Sequence, residues 1–225
     1  MIRLATYNAY DCIGRDGVYD PGRIARVVAG IEADVVALKE ITLDHAADVL
    51  ATLQYVSGMQ AVDGTLFERG VGRYGNVLLT RHSVCAQALH DLSFVGREPR
   101  GLVDAAIDIN GENIRVAATH LGLRSAERRE QVASIADLLA DTSVPAVLMG
   151  DFNVWLGSKA LRPLFDIGFT QRPLRSFPTG WLPLLALDRV LVRGFAQPQH
   201  HWRYERPPAS QASDHFPVVV DVVRG

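Results

Sequence analysis

The residues best suited to chemistry lie where predicted strands begin or end. They carry amide, carboxylate or imidazole groups, and they are Asn8, Glu40, His120, Asp151, Asn153, Asp188, Asp214 and His215. Proteins that combine strands and helices place catalytic groups at such strand ends, on loops that a rigid sheet positions. Taken singly, each residue could be an ordinary turn former, and Asp151 and Asn153 could form an Asx turn. The functional interpretation therefore depends on the whole set.

As a set, these side chains suit metal-assisted hydrolysis of a phosphoester. Carboxylate and amide oxygens, with no cysteine among them, are the ligands that Mg²⁺ or Mn²⁺ prefers. Two histidines and a further carboxylate can supply an acid, a base and stabilisation of an oxyanion. The residue set therefore predicts divalent-metal-dependent hydrolysis of a phosphoester.

The elements that must position these groups are short β-branched runs alternating with amphipathic helical patterns. Strands are predicted at residues 2–6, 34–38, 76–79, 102–109, 114–119, 144–149, 187–192 and 218–222. Helices are predicted at residues 21–31, 42–53 and 125–139, the last with Ser125 as its N-cap. Asn110-Gly111 is a hairpin signal, which excludes a purely parallel sheet. Two mixed sheets packed together, with helices outside, fit the pattern better.

Composition limits the class of protein. A chain of 225 residues without repeats or linkers is simplest as one domain, residues 1–225. A formal net charge of -2 excludes a strongly basic nucleic-acid coat but leaves room for a local basic cleft. Cys12 and Cys85 are too few for a disulfide framework, so we expect both to be reduced and mostly structural. With only short apolar runs, we expect no transmembrane segment, a cytoplasmic location and a monomer.

Short motifs along the chain resemble the endonuclease/exonuclease/phosphatase superfamily. In the family's order, they are Thr6-Tyr7-Asn8, Leu38-Lys39-Glu40, Gly75-Asn76, Thr119-His120-Leu121, Gly150-Asp151-Phe152-Asn153, Leu187-Asp188 and Ser213-Asp214-His215. The resemblance spans residues 6–215. It implies a four-layer α/β sandwich, in which two mixed β-sheets pack face to face with helices outside.

The resemblance also implies a role for each site residue. Glu40 would bind Mg²⁺ or Mn²⁺ directly, with Asn8 beside it and Asp214 completing the metal site. His215, oriented by Asp188, would act as general base or as a phosphate-stabilising group. Asp151 would position or deprotonate the attacking water. The phosphoryl oxygens would be held by Asn153, His120 and Arg100.

Two residues depart from the family's pattern. Lys39 stands where the family usually has glutamine. Because adjacent strand residues face opposite sides, Lys39 need not touch the metal, but if it reached Glu40 it would compete with the cation. Arg189 stands where small bacterial members often carry histidine, and it could contact phosphate or lie on the surface.

The substrate is left open between two classes of phosphodiester. The first hypothesis is a nuclease-like enzyme acting on nucleic acid, and the second is the same chemistry on a phospholipid or inositol-phosphate head group. The third is a catalytically silent binding module on the same fold. Trp181 and Leu182, in the apolar segment before Asp188, are predicted either to join the core or to form an apolar lip that touches substrate.

Overall fold

A computed structural model describes residues 1–44, 48–155, 157–179, 183–196 and 199–224. One mixed sheet has six strands, in the order β10-β11-β1-β2-β4-β3. These strands are β1 (Ile2–Asn8), β2 (Val35–Asp44), β3 (Gln60–Arg69), β4 (Gly72–Thr80), β10 (His200–Arg203) and β11 (Val218–Val222). The other has five strands, in the order β5-β6-β7-β8-β9. They are β5 (Ser83–Asp91), β6 (Gly101–Ile109), β7 (Glu112–His120), β8 (Ala146–Asp151) and β9 (Asp188–Arg193).

Helices cover the outer face of each sheet. The helices are α1 (Pro21–Ile31), α2 (Val49–Ser57), α3 (Ser125–Leu138), α4 (Arg162–Asp166) and α5 (Ala209–Ala212). One apolar cluster lies between the six-stranded sheet and α1 with α2, a second between the two sheets, and a third between the five-stranded sheet and α3 with α4. The predicted four-layer α/β sandwich is confirmed.

Strand pairing explains where the predicted elements are right. The hairpin of β6 and β7 turns at Asn110-Gly111, as predicted, since Ile109 pairs with Glu112. β1 pairs with β2 in parallel, and β7 with β8 in parallel, while the other strand pairs are antiparallel. Both sheets are therefore mixed.

Two predicted helix starts are wrong. The helix predicted at residues 42–53 begins only at Val49, because residues 42–44 continue β2 and pair with β4. Its N-cap is Asp48, whose carboxylate accepts a hydrogen bond from the Ala51 amide at 2.8 Å. In α3 the N-cap is Arg124 instead of Ser125.

The structure bears on the predictions for the two cysteines and for transmembrane segments. Cys12 and Cys85 are both free thiols, but only Cys12 is buried. Burial raises the pKa of the Cys12 thiol to about 12, which makes it unreactive. Across the described part of the chain, none of the helices has the length and apolar character needed to cross a membrane.

Candidate active site

The site lies at one end of the layer between the two sheets. Side chains alternate along each strand, so residues two apart share a face. Leu4 faces the apolar layer between the sheets, and Thr6 and Asn8 follow it on the same face of β1. By the same alternation, His120 follows Ala118 on β7 and Asp151 follows Met149 on β8. The apolar layer therefore ends in a set of polar groups contributed by both sheets.

Glu40 reaches this site because β2 is irregular there. Along β2, Val35 and Ala37 face the layer between the sheets, so simple alternation would turn Glu40 away. The pairing with β4 shifts register between Leu38 and Ile41, and Glu40 has a left-handed backbone with φ of 55°. Lys39 and Glu40 consequently both face the cleft end of this layer, where Lys39 contacts Thr6 and Glu40 contacts Asn8.

Asp188 and His215 form a buried carboxylate–imidazole dyad. Oδ2 of Asp188 lies 2.6 Å from Nδ1 of His215 and accepts a hydrogen bond from the Ser176 hydroxyl at 2.7 Å. Burial alone would lower the pKa of His215, but the Asp188 carboxylate raises it to about 9. The His215 ring therefore carries a proton on Nδ1 and presents Nε2 to the cleft.

Lys39 supplies the second partner of Asp188. The Lys39 side chain is fully buried, with Nζ 3.0 Å from Oδ1 of Asp188, and it donates a hydrogen bond to the Thr6 hydroxyl at 2.6 Å. Burial opposes ionisation of Asp188, yet Lys39 and His215 hold the pKa of that carboxyl below its usual range. Lys39 thus reaches Asp188 and Thr6, and its contacts with the described residues do not meet the condition for competition with the metal, which was contact with Glu40.

Carboxylates crowd the opposite side of the cleft. The side-chain amide of Asn8 donates a hydrogen bond from Nδ2 to Oε1 of Glu40 at 2.7 Å, and the same nitrogen lies 3.5 Å from Oδ2 of Asp151. Asp214 places Oδ1 3.9 Å from Nε2 of His215. Burial raises the pKa of Glu40, Asp151 and Asp214, and the negative charge of Asp151 and of Asp214 raises that of Glu40 further. Such mutual repulsion favours a bound cation.

The chemistry of these donors fits a divalent cation. The side chains of Glu40 and Asp214 are 23% and 32% exposed, so both are reachable from the cleft. Asp151, Asp188 and His215 also have potential ligand atoms within 4.8 Å of one another. Asp188 is fully buried, however, and Lys39, Ser176 and His215 already engage its oxygens. The cation therefore fits beside Glu40 better than at Asp188.

His120 differs from His215 in charge. Burial, with the positive charge of Arg100 and Lys39, holds the pKa of His120 well below its usual value. Asn153 places its amide nitrogen 3.2 Å from Nε2 of the His120 ring and donates to the Leu121 carbonyl at 2.8 Å. Neutral His120 then accepts at Nε2 and carries its proton on Nδ1, 3.8 Å from Oε1 of Glu40. Asn153 orients His120, and its amide hydrogens are already engaged.

Arg100 and Asp151 lie where the sequence predicts, at the cleft. Arg100 lines the cleft with His120, and its guanidinium is 3.0 Å from Oε1 of Glu98. Asp151 and Asn153 do form an Asx turn, because the backbone amide of Asn153 donates a hydrogen bond to Oδ1 of Asp151 at 2.9 Å. Oδ2 of Asp151 nevertheless faces both histidines, at 3.8 Å from His120 and 4.0 Å from His215.

Neither predicted environment of Arg189 is right. Alternation along β9 turns Arg189 away from Asp188 and the cleft, and the side chain is buried. It donates hydrogen bonds to the Val154 carbonyl at 3.1 Å and to the Gln171 side chain at 3.2 Å. Arg189 therefore supports the loop after β8 and lies buried on the face of β9 that points away from the cleft.

One wall of the cleft is apolar. The cavity at the site has a volume of about 300 Å³, and its apolar lining consists of Leu123, Trp155, Phe177, Leu185 and Leu187. Trp181 and Leu182, the residues predicted to form a lip or join the core, lie outside the described residues. Sequence reasoning missed Trp155, although it stands only two residues after the Gly150–Asn153 motif, and it missed Ser176, which no sequence signal distinguishes.

Comparison with known proteins decides the family. The model of the endonuclease/exonuclease/phosphatase family matches residues 5–215. The chain belongs to the endonuclease/exonuclease/phosphatase family. Uncharacterized protein YbhP of Escherichia coli K12 is 30% identical over 224 residues, covering 87% of this chain and 85% of YbhP.

Solved structures of this family share the fold. An endonuclease/exonuclease/phosphatase from Beutenbergia cavernae superimposes with a TM-score of 0.81 at 24% identity, covering 100% of this chain and 72% of the other. Mannosyl-6-phosphatase Bt3783 of Bacteroides thetaiotaomicron gives a TM-score of 0.76 at 17% identity, covering 99% of this chain and 100% of the other. At such identities these likenesses show the fold alone. Family membership makes the chain a hydrolase of the endonuclease/exonuclease/phosphatase type.

Proposed function

We propose that this protein hydrolyses phosphodiester bonds with the help of Mg²⁺ or Mn²⁺, and that nucleic acid is its first candidate substrate. The observation that supports this most is the split between the two cleft histidines, one neutral and one protonated, beside a cluster of carboxylates. Paired groups whose pKa values diverge are typical of acid and base sites. The same proposal takes residues 1–225 as one domain that acts as a monomer in the cytoplasm.

Glu40 and Asp214 would hold the cation, with Asn8 beside it. When bound, it would draw negative charge from a phosphoryl oxygen and stabilise the leaving oxygen. Glu40 and Asp214 offer carboxylate oxygens to it, and Asn8 fixes the Glu40 carboxylate. The role of Asn8 is then to position Glu40, because its own Oδ1 already accepts the Tyr10 amide at 3.0 Å.

The remaining residues would handle the phosphate and the water. Asp151, whose pKa is raised by burial, accepts a proton more readily than an exposed carboxylate and would orient the attacking water. His215 would donate a hydrogen bond from Nε2 to a phosphoryl oxygen while Asp188 holds the Nδ1 proton. Arg100 and His120 would bind the same phosphate from the opposite wall, with Asn153 orienting His120.

Three alternative functions have different support. The apolar wall with Trp155 suits a nucleobase, but it also suits the acyl part of a phospholipid, whereas an inositol phosphate would use the phosphate site alone. The fold is also that of a mannosyl-6-phosphatase, so a phosphate monoester belongs among the substrates to be tested. A silent binding module is disfavoured, because Glu40, Asp151 and the two histidines converge on one cleft.

A substrate panel tests the proposal. We expect bis-p-nitrophenyl phosphate and single-stranded DNA to be hydrolysed with Mg²⁺ or Mn²⁺ and not with EDTA. Plasmid DNA, phospholipids, inositol phosphates and p-nitrophenyl phosphate complete the panel. Hydrolysis of the monoester alone would replace the proposed phosphodiesterase with a phosphatase. If no substrate is hydrolysed with either metal, the silent binding module becomes the favoured function.

A further inference from the structure

A basic groove adjoins the catalytic cleft on the side of α3. Its volume is about 580 Å³, and it is lined by Ser125, Arg128, Arg129, Lys159, Ala160 and Pro163. The groove therefore lies between the first turns of α3 and the segment that leads into α4. None of the residues assigned to the catalytic site lines it.

The groove and the cleft share one rim. Leu123 and Trp155 line the cleft, yet they are 67% and 63% exposed, so both project at its mouth. Leu123 stands two residues before Ser125, and Trp155 stands four residues before Lys159. Arg128 joins the two surfaces, since Nη1 donates to the Gly122 carbonyl at 3.1 Å and to the Leu123 carbonyl at 2.6 Å.

Charge in the groove is positive and unneutralised. Arg129 and Lys159 are exposed, and neither forms an ion pair with another described residue. Because the whole chain has a formal net charge of -2, this is a local concentration of positive charge. Trp155 lines the catalytic cleft, is 63% exposed and precedes Lys159 of the groove by four residues in the chain. The contact between Arg128 and the Leu123 carbonyl links the cationic groove to the cleft that holds this ring and the proposed catalytic phosphate site.

We propose that this groove binds a second phosphate of a single-stranded polynucleotide, with a base stacked on Trp155 and the neighbouring phosphodiester in the catalytic cleft. This site rests on the proposed phosphodiesterase function and names its substrate. An unpaired base offers a free face to an aromatic side chain, whereas a base pair in a duplex does not. A phospholipid with a single phosphate would leave the second cationic site without a partner on the same molecule.

Labelling of lysine provides a direct test that needs no turnover. The chain has two lysines, and the other one, Lys39, is fully buried, so Lys159 is the accessible lysine, and the amino-terminal amine of the purified protein serves as an internal reference. The variant His215→Ala, which the proposed mechanism predicts to be inactive, is acylated in EDTA with and without dT₂₀, and both amines are followed by mass spectrometry. We expect dT₂₀ to slow acylation of Lys159 at least about fivefold while the amino-terminal amine reacts unchanged.

Matched variants separate this groove from general electrostatics. In the His215→Ala variant, the further changes Arg129→Ala and Trp155→Ala should each weaken the protection of Lys159 from acylation by dT₂₀. Replacing Arg26, an exposed arginine on α1, with alanine should not weaken it. Equal protection in all three variants, or protection by anionic phospholipid vesicles and not by dT₂₀, would overturn the proposal.

Kinetics distinguish failure of this site from failure of the proposed function. Arg129→Ala in the otherwise intact protein should raise KM for a single-stranded oligonucleotide about 5- to 10-fold and leave kcat/KM for bis-p-nitrophenyl phosphate unchanged. If the small diester is hydrolysed and the variant treats both substrates as the wild type does, the groove proposal fails alone. If the small diester is not hydrolysed with either metal, the catalytic proposal fails.

Discussion

The buried ion pair of Lys39 and Asp188 places a positive charge next to the dyad of Asp188 and His215. At the position where the family usually has glutamine, this chain carries an ammonium group 3.0 Å from the carboxylate that orients His215. An unpaired buried charge costs several kcal/mol, so each member of the pair needs the other. Strand alternation alone did not predict this contact, because Lys39 and Asp188 come from different sheets.

Lys39→Met should destabilise the protein by about 3–5 kcal/mol, because the Asp188 carboxylate loses its buried cation. Asp188→Asn should lower the free energy of unfolding much less in the Lys39→Met variant than in the wild type, since the two changes remove the same interaction. Urea unfolding of the single and double variants measures this coupling. Lys159→Met, the same change at the exposed lysine, should shift the unfolding free energy by less than about 0.5 kcal/mol. Additive losses would show that the pair is not coupled.

His215 and Asp188 should also act as one kinetic unit. The double variant His215→Ala/Asp188→Ala should lose hardly more kcat than His215→Ala, because Asp188 acts through the His215 ring. Rates with a small diester at saturating metal provide the comparison. Independent losses in log kcat would mean that Asp188 has a role of its own.

The raised pKa of His215 makes stability depend on pH. Its folded value of about 9 lies above the usual 6.5 of the unfolded chain, so the imidazolium stabilises the fold fully below about pH 6.5. That contribution is lost as the pH rises towards 9. In EDTA, the stability difference between the wild type and His215→Gln should therefore shrink between pH 6.5 and 9. A difference that grows over this range would reverse the assigned charge.

At the scale of elements, the site depends on two local features of strands. The irregularity of β2 at Lys39 and Glu40 turns Glu40, a candidate metal ligand, to the face of the sheet that lines the cleft, whereas regular alternation would turn it to the other face. Close packing of β7 on β8 depends on Gly150, where an added Cβ would lie 2.0 Å from the Thr119 carbonyl oxygen. His120 and Asp151 directly follow these two residues.

Gly150→Ala should consequently push β7 and β8 apart and reduce both stability and kcat. Leu148→Ala, a cavity-forming change on the same strand, should cost about 2–5 kcal/mol and leave kcat of the folded protein nearly intact. Thermal melts combined with steady-state rates compare the two variants. Equal kcat in both would show that the Gly150 contact does not position the site.

The sequence predicted elements best where local pattern and tertiary pairing agree. Helix α1 has its predicted bounds because Asp20 caps it and its apolar residues face one side. Residues 42–44 carry a helical pattern but become strand, because β4 pairs with them. The edge strand β10 was not predicted, since its four residues show no clear alternation.

At the scale of the molecule, the order of short motifs predicted the family and the four-layer fold before any contact was known. Those motifs lie far apart in the chain, and each is too short to be informative alone. Their convergence on one cleft follows from the topology, because strands of both sheets end there. The basic groove beside Trp155 did not emerge from sequence, because Arg129 and Lys159 are neighbours only in the folded chain.

The most direct test of the central claim is the metal dependence of diester hydrolysis in Glu40→Gln. This change keeps the side-chain shape and removes the negative charge that the proposed cation needs. We expect the wild type and Glu32→Gln, an exposed control, to hydrolyse bis-p-nitrophenyl phosphate with saturable dependence on Mg²⁺ or Mn²⁺. Glu40→Gln should lose at least about 100-fold in kcat/KM and require more metal. Full activity of Glu40→Gln at the same metal concentration would contradict the assignment of this site.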